Sequence, residues 1–435
     1  MNHPLLQKAS IVFSPTAYGT STLNSIKPPG NTNGDFDFTR NGTATRVNES
    51  GLIETVAANI PRIDYLSGVG AYLNEPQATN TATYSNDFTQ GDIFDGSGNP
   101  NQTNSVLTAN SITAPDGTNN GWKLTDNGDD ATGTAVLNYF STNVTSGDSN
   151  TFSVFLKKGS TDFAHLSTGG YDSSANGNSF FNISTGVISS ASANHSDVKI
   201  QDYGNGWYRC TIAIRTTTDT IGAFTIGMAT TSGSVNITRD GTNFLYMFGL
   251  QAVSDGDTDV DSLLVSYIPT SGATVTKLKD SALNAGNTDL INSTEGVFYL
   301  NLAGLANKYK TTRRLSLSDG SVGDEVRFDF SNVKDRITLR VRVNGNNVAT
   351  KTITGTYDIT QFHKYAIQWK ENDFKFYIDG VEVGTDTSGA TFSADTLDRI
   401  NIASGGGASN LEANIKCIAV FKEILTDAEL VTLTS

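Results

Sequence analysis

In the run Glu371-Asn372-Asp373-Phe374-Lys375-Phe376 two carboxylates stand two positions apart, the spacing that puts side chains on one face of a strand. Glycoside hydrolysis needs paired carboxylates of this kind, about 5 Å apart for retention and further apart for inversion. The proton donor is missing. Neither Lys375 nor Phe376 gives up a proton to a leaving oxygen near neutral pH. The pair is therefore expected to decorate a hairpin turn. No catalytic residue is assigned, and the chain is not expected to be an enzyme.

Other chemistry is equally sparse. His3, His165, His195 and His363 are dispersed, and none has a second His or Cys at metal-ligand spacing. His363, at a strand start, reads as half-buried and structural. No G-x-S-x-G elbow supports a Ser-His-Asp set. Cys210 and Cys417 lie far apart in apolar runs and are expected to be small core residues, not a disulfide. The acidic runs DGDTDVDS (255–262) and DNGDD (126–130) match no calcium loop and read as solvated turns. SGGGAS (404–409) has no Lys and opens no helix, so it is a loop and not a phosphate cradle. No metal or cofactor is expected. One loop does suit a sugar: Tyr171, Asp172, Asn176 and Asn178 in GGYDSSANGNS offer a ring for the apolar sugar face and polar groups for hydroxyls.

These residues must be positioned by strands. The 42 glycines, with abundant Asn, Thr and Ser, are scattered between short apolar runs, which is the pattern of many turns between many strands. The 435 residues exceed one ordinary core, so two or three domains are expected. The formal charge of −14 disfavours nucleic acid and anionic membranes as partners. No apolar run is long enough for a bilayer helix, and MNHPLLQKAS lacks the features of a secretory signal.

The fold class is all-β: an extended attachment segment at 1–83, a β-sandwich of jelly-roll type at 84–280, and a second at 293–435. In the first sandwich the clearest strands are NTFSVFLKK, GWYRCTIAIRT and NFLYMFGLQAV. Within WYRCTIAI, Tyr208, Cys210, Ile212 and Ile214 alternate with Trp207, Arg209, Thr211 and Ala213, so one face is expected buried and the other half-solvated. A polar linker is expected near 280–292. In the second sandwich, QWKENDFKFYIDGVEVG reads as strands turning at Asn372-Asp373 and Asp379-Gly380. Thr426 and Glu429 form a capping-box spacing before a short closing helix.

The first segment has little core of its own. Phe36 and Phe38 share a face, Asn41-Gly42 and Ser50-Gly51 supply turns, and Leu52, Ile53 and Val56 resume the strand pattern. Arg40, Arg46 and Arg62 beside Asp35, Asp37, Glu54 and Asp64 suggest weak local ion pairs. Such a stretch becomes ordered against another surface, that of a partner or of its own downstream domain.

Residues 15–80 resemble the leader of bacteriophage virion proteins of the tail-fibre and receptor-binding type. Thr43, Ala44, Thr45, Arg46, Gly51, Leu52, Ile53, Glu54, Pro61, Arg62, Asp64 and Tyr65 occupy the places of that leader's motif, and Glu75, Pro76, Thr79 and Asn80 those of its second element. YSNDFTQ, DYGNGWYRCTIAI and YIPTSGATVTKLKDSA resemble carbohydrate-binding-module-like jelly rolls. FHKYAIQWKENDFKFYIDGVEVGT and IAVFKEILTDAELVTL are similar to concanavalin A-like or laminin G-like lectin domains. In laminarinase-like enzymes of related fold, the acid/base carboxylate stands where this chain has Lys375 or Phe376. No aligned Asp/Asn set reproduces a calcium-lectin site.

The resemblance implies a non-enzymatic fibre or spike on the particle exterior, a homotrimer that contacts other virion proteins and displays loops to host cell-surface polysaccharide. Attachment to the particle would involve Arg40, Arg46, Glu54, Arg62, Asp64 and Tyr65. A purely architectural capsid-decoration or connector protein, and a polysaccharide depolymerase, are the alternatives.

Overall fold

The computed structural model describes residues 3–29, 32–90, 101–144, 146–172, 174–218, 220–230, 233–254 and 264–435. The chain forms two compact units. The first takes Met1–Thr43, Val56–Gln77 and Leu278–Ser435, and the second Ala44–Thr55 and Ala78–Lys277. Both are β-sandwiches, and the one α-helix among the described residues is Asp427–Thr434. The acidic run 255–262 lies wholly outside the described residues.

The first unit pairs an eleven-stranded antiparallel sheet with a five-stranded one. At the centre of the large sheet, Glu295–Gly304 lies between Ala413–Phe421 and His363–Lys370. Its run VFYLNL is apolar on both faces because both faces are covered. One face meets the smaller sheet, where the Phe328 and Tyr365 rings stand 4.7 Å apart. The other carries Tyr299, Ala366, Cys417 and Ala419 beneath Leu430 and Leu433 of the terminal helix. That helix begins with the expected capping box, Thr426 and Glu429 satisfying each other's backbone amides. The hairpin turns also fall where expected, with φ of 54° at Asn372, 47° at Asp379 and 78° at Gly380.

Residues 1–83 do not form a separate segment. Ile11–Gly19 pairs with Ala413–Phe421, placing Ile11 opposite Val420 and Phe13 opposite Ile418. Thr22–Lys27, Phe36–Thr39 and Ser281–Leu283 extend the same sheet outward, and Ala71–Asn74 pairs with the other end of Ala413–Phe421. Phe13, Phe36, Phe38 and Tyr72 meet edge to face at 5.8 to 6.2 Å. Residues 280–292, expected as a polar linker, are built into this unit: Asp280 and Ala282 are fully buried, and Ile291 nearly so. The hairpin of Ala44–Val47 and Ile53–Val56 instead supplies residues 44–55 to the second unit, where Thr45 Oγ1 donates to the Tyr267 carbonyl at 2.5 Å and Ile53 N to that of Pro115 at 2.9 Å.

The second unit stacks an eight-stranded on a six-stranded sheet, with the Phe152 and Phe224 rings 5.0 Å apart across the core. Trp207–Ile214 is buried on both faces, not on one as the alternation predicts. It is an internal strand between Asn150–Lys158 and Asp197–Asp202. Arg209 on its outer face donates to Ser153 Oγ and to the Val265 carbonyl at 2.7 Å, while Trp207 Nε1 donates to the Thr113 carbonyl at 3.1 Å.

Candidate functional site

Glu371 and Asp373 sit in the turn between His363–Lys370 and Phe374–Ile378, off the ladder that would hold them at a fixed separation. Asp373 is 3.9 Å from Lys375 Nζ, and Glu371 is exposed. The pair decorates a hairpin.

In the proposed sugar loop the geometry differs from the expectation. Tyr171 is only 5% exposed and packs in the core of the second unit, so its ring has no free face for a sugar. Asn176 is consumed by the Tyr171 backbone, accepting from its N–H at 3.0 Å and donating to its carbonyl at 2.8 Å. Asp172 accepts from Ser174 and from Thr217 N at 2.6 Å, which holds its carboxyl down at about 2. Asn178 is exposed on Gly177–Asn182, opposite Ser167. Sequence could not separate this closed turn from an open one, because the partners that close it at Thr217 and Thr218 are 45 residues or more away. In DNGDD, Asp126 accepts from the backbone of Gly128, Gly241 and Asn243, and Asp129 pairs with Arg239 at 2.8 Å. No cluster of metal-ligating side chains occurs among the described residues.

The leader residues divide into two classes. Arg46 and Glu54 form a partly exposed pair at 2.6 Å; Asp64 accepts from Leu66 N at 2.9 Å, and Tyr65 is half-buried. Arg40 and Arg62 are buried, and their partners are not the neighbouring acids that the sequence suggests. Arg40 Nη1 donates to Asp280 Oδ1 at 3.0 Å, and Arg62 donates to Glu75 Oε2 at 2.7 Å and to Asp280 Oδ2. Glu75 N adds a bond to Asp280 at 3.0 Å, closing a four-charge network with side chains at most 2% exposed.

Three of the histidines, His165, His195 and His363, are held by neighbouring side chains. His363 Nδ1 lies 2.6 Å from Asp379 Oδ2 at the start of its strand. In the second unit, His195 contacts Ser179 Oγ at 2.6 Å and Thr168 Oγ1 at 3.0 Å, and His165 contacts Ser167 Oγ at 2.7 Å. Burial lowers both imidazoles to about 4. An unfolded histidine takes a proton below about 6.5, but these refuse one until about 4, so acid favours the unfolded chain. Stability should therefore fall as pH drops from about 6.5 to 4, by up to about 3 kcal/mol per residue at about 1.4 kcal/mol per unit. Urea unfolding at several pH values should show a shallower acid slope in His165→Gln and His195→Gln than in the native chain. Equal slopes would refute this assignment.

A second group of charged residues lies on the five-stranded sheet of the first unit, with Glu325, Arg327 and Asp329 buried within it. Its strands run Asn346–Thr354, Arg336–Val343, Glu325–Phe330, Arg313–Ser318 and Arg399–Asn401. Strict alternation in EVRFDF and RITLRVRV sends Val326, Phe328, Ile337 and Leu339 into the core. The opposite face carries Arg314, Glu325, Arg327, Asp329, Arg340 and Arg342. Register sets Asp329 opposite Arg314 and Thr338, Arg327 opposite Arg340, and Glu325 opposite Arg342. Arg327 bridges Glu325 and Asp329. Burial pushes the Asp329 carboxyl up although Arg327, Arg314 and Arg340 pull it down, and burial and Arg327 lower Arg340. The face opens toward Asn346–Thr354, where Asn347, Thr350 and Thr352 are exposed. Beside its far edge, Asn284, Gly286, Asn287, Thr288, Asp398 and Arg399 line a cleft of about 360 Å³. The alternation was legible in the sequence; that the polar side would form one charged surface depended on the register between neighbouring strands.

Residues 305–431 match the family model of the concanavalin A-like lectin/glucanases superfamily. Comparison with curated proteins gives no match. Among solved structures, the chain is similar to the CBM40 of the Ruminococcus gnavus IT-sialidase bound to alpha2,3 sialyllactose, with 16% identity over 33% of this chain and 83% of that one, at a TM-score of 0.28. Domain 4 of AbnA, a GH43 extracellular arabinanase from Geobacillus stearothermophilus, in complex with arabinotriose, gives 12% identity over 40% and 83%, at 0.26. Sheep galectin-11 gives 10% identity over 29% and 89%, at 0.21.

Proposed function

We propose that this is a non-enzymatic carbohydrate-binding protein of a bacteriophage particle, a tail fibre or spike that attaches to host surface glycans. The observation that carries the binding reading is the lectin-type superfamily match over 305–431 on a sandwich whose smaller sheet sets the half-buried Arg340 beside exposed hydroxyl and amide groups at Thr350, Thr352 and Asn347. Placement of Glu371 and Asp373 in a hairpin turn supports binding without hydrolysis. The assignment to a phage particle rests on the leader-like residues 15–80. In a trimer, weak sugar contacts would be strengthened by multivalency, since linked sites raise effective concentration.

A glycan array probed with the labelled full chain should retain a subset of bacterial surface oligosaccharides, and the retained polysaccharide should release no reducing ends on prolonged incubation. An array with no retained glycan would overturn the binding reading. Release of reducing ends that is abolished in Glu371→Gln would replace it with a depolymerase.

A further inference from the structure

We infer that the polar face of the five-stranded sheet recognises the carboxylate of an acidic saccharide, with Arg340 as the group that meets it. The inference rests on the carbohydrate-binding reading above and names the ligand class.

Three features of the face point there. Arg327 and Arg340 are directly opposite across neighbouring strands, an arrangement of like charges that costs folding energy. Arg327 is occupied by Glu325 and Asp329, but Arg340 Nε, itself closed off from solvent, has no hydrogen-bond acceptor among the described residues, so the charge of Arg340 must be met at the outer edge of its guanidinium. Arg314, Arg327, Arg340 and Arg342 outnumber Glu325 and Asp329, so the face is locally cationic in a chain whose net charge is −14. A carboxylate bound at that edge would offset the facing guanidiniums and the cationic excess, because guanidinium is matched to carboxylate in a planar, two-point contact.

The surroundings suit a sugar in particular. Arg340 is half-buried, and the next strand outward places Thr350 directly opposite it, with Thr352 and Asn347 on either side, all exposed. Hydroxyl and amide groups at those positions can take the ring hydroxyls of a saccharide whose carboxylate sits on Arg340. A neutral sugar would gain those contacts but leave the guanidinium without its acceptor.

Titration calorimetry on the full chain, with oligogalacturonate and sialyllactose each beside its methyl ester, tests this directly. At least one acid should bind, and its ester at least tenfold more weakly. Arg340→Gln should erase that preference and Arg340→Lys restore part of it. Thr350→Glu alters an exposed side chain outside the buried charges; it should abolish binding of the acid while leaving the melting temperature near that of the native chain. Equal binding of acids and esters, or a preference that survives both Arg340→Gln and Thr350→Glu, would overturn the inference. Binding confined to neutral glycans would sink it while leaving the carbohydrate-binding reading intact, and failure of every glycan would sink both.

Discussion

Asp280→Asn should destabilise the first unit by about 3–5 kcal/mol, the cost of removing one partner from a buried ion pair. Asp280 accepts from both Arg40 and Arg62 and from the Glu75 backbone, with no exposed side-chain surface on any of the three charged groups. The substitution leaves two buried guanidiniums facing the single carboxylate of Glu75, in a place where water cannot compensate. Arg40 would still reach the carbonyls of Gly42 and Ala57, which hold its position but not its charge. Arg46→Ala, which breaks only a partly exposed pair with Glu54, should cost less than about 1 kcal/mol. Denaturant unfolding of the two variants side by side gives the comparison. If Asp280→Asn unfolds the first unit at the same denaturant concentration as the native chain, the network does not stabilise that unit.

Removing residues 1–43 should prevent the first unit from folding at all. The deletion strips three strands from the large sheet and with them Phe13, Leu23, Phe36 and Phe38, each at most 1% exposed. Losing one buried aromatic typically costs about 3–5 kcal/mol, and a whole domain commonly has only about 5–15 kcal/mol in hand. The Ile11–Phe13 partners on Ala413–Phe421 would become an unpaired edge next to the most apolar strand of the sheet, a template for aggregation. The truncated chain should be recovered as aggregate, or should lose the near-ultraviolet circular dichroism of packed Trp369 and Tyr365. A soluble truncation whose unit containing 278–435 melts as in the full chain would show that the leader is dispensable for folding. Because Arg40 is part of the interior, the same deletion is not a simple loss of an attachment segment.

Legible in the amino-acid order alone were the all-β class, the strands with strict alternation, the Asn372 and Asp379-Gly380 turns and the capped terminal helix. Those are local: an alternation of period two, a residue that tolerates positive φ, and a Thr and Glu three apart each act within a few residues. Tertiary structure alone decided that Arg40 and Arg62 meet Asp280 across 240 and 218 residues, that the second face of Trp207–Ile214 is covered by the segment around Val265, and that Tyr171 turns inward. It also decided which charges of EVRFDF and RITLRVRV stand side by side. Burial and ion pairing depend on which distant segment lies across the sheet, and the alternation that folds a strand is silent about its neighbour on the far face.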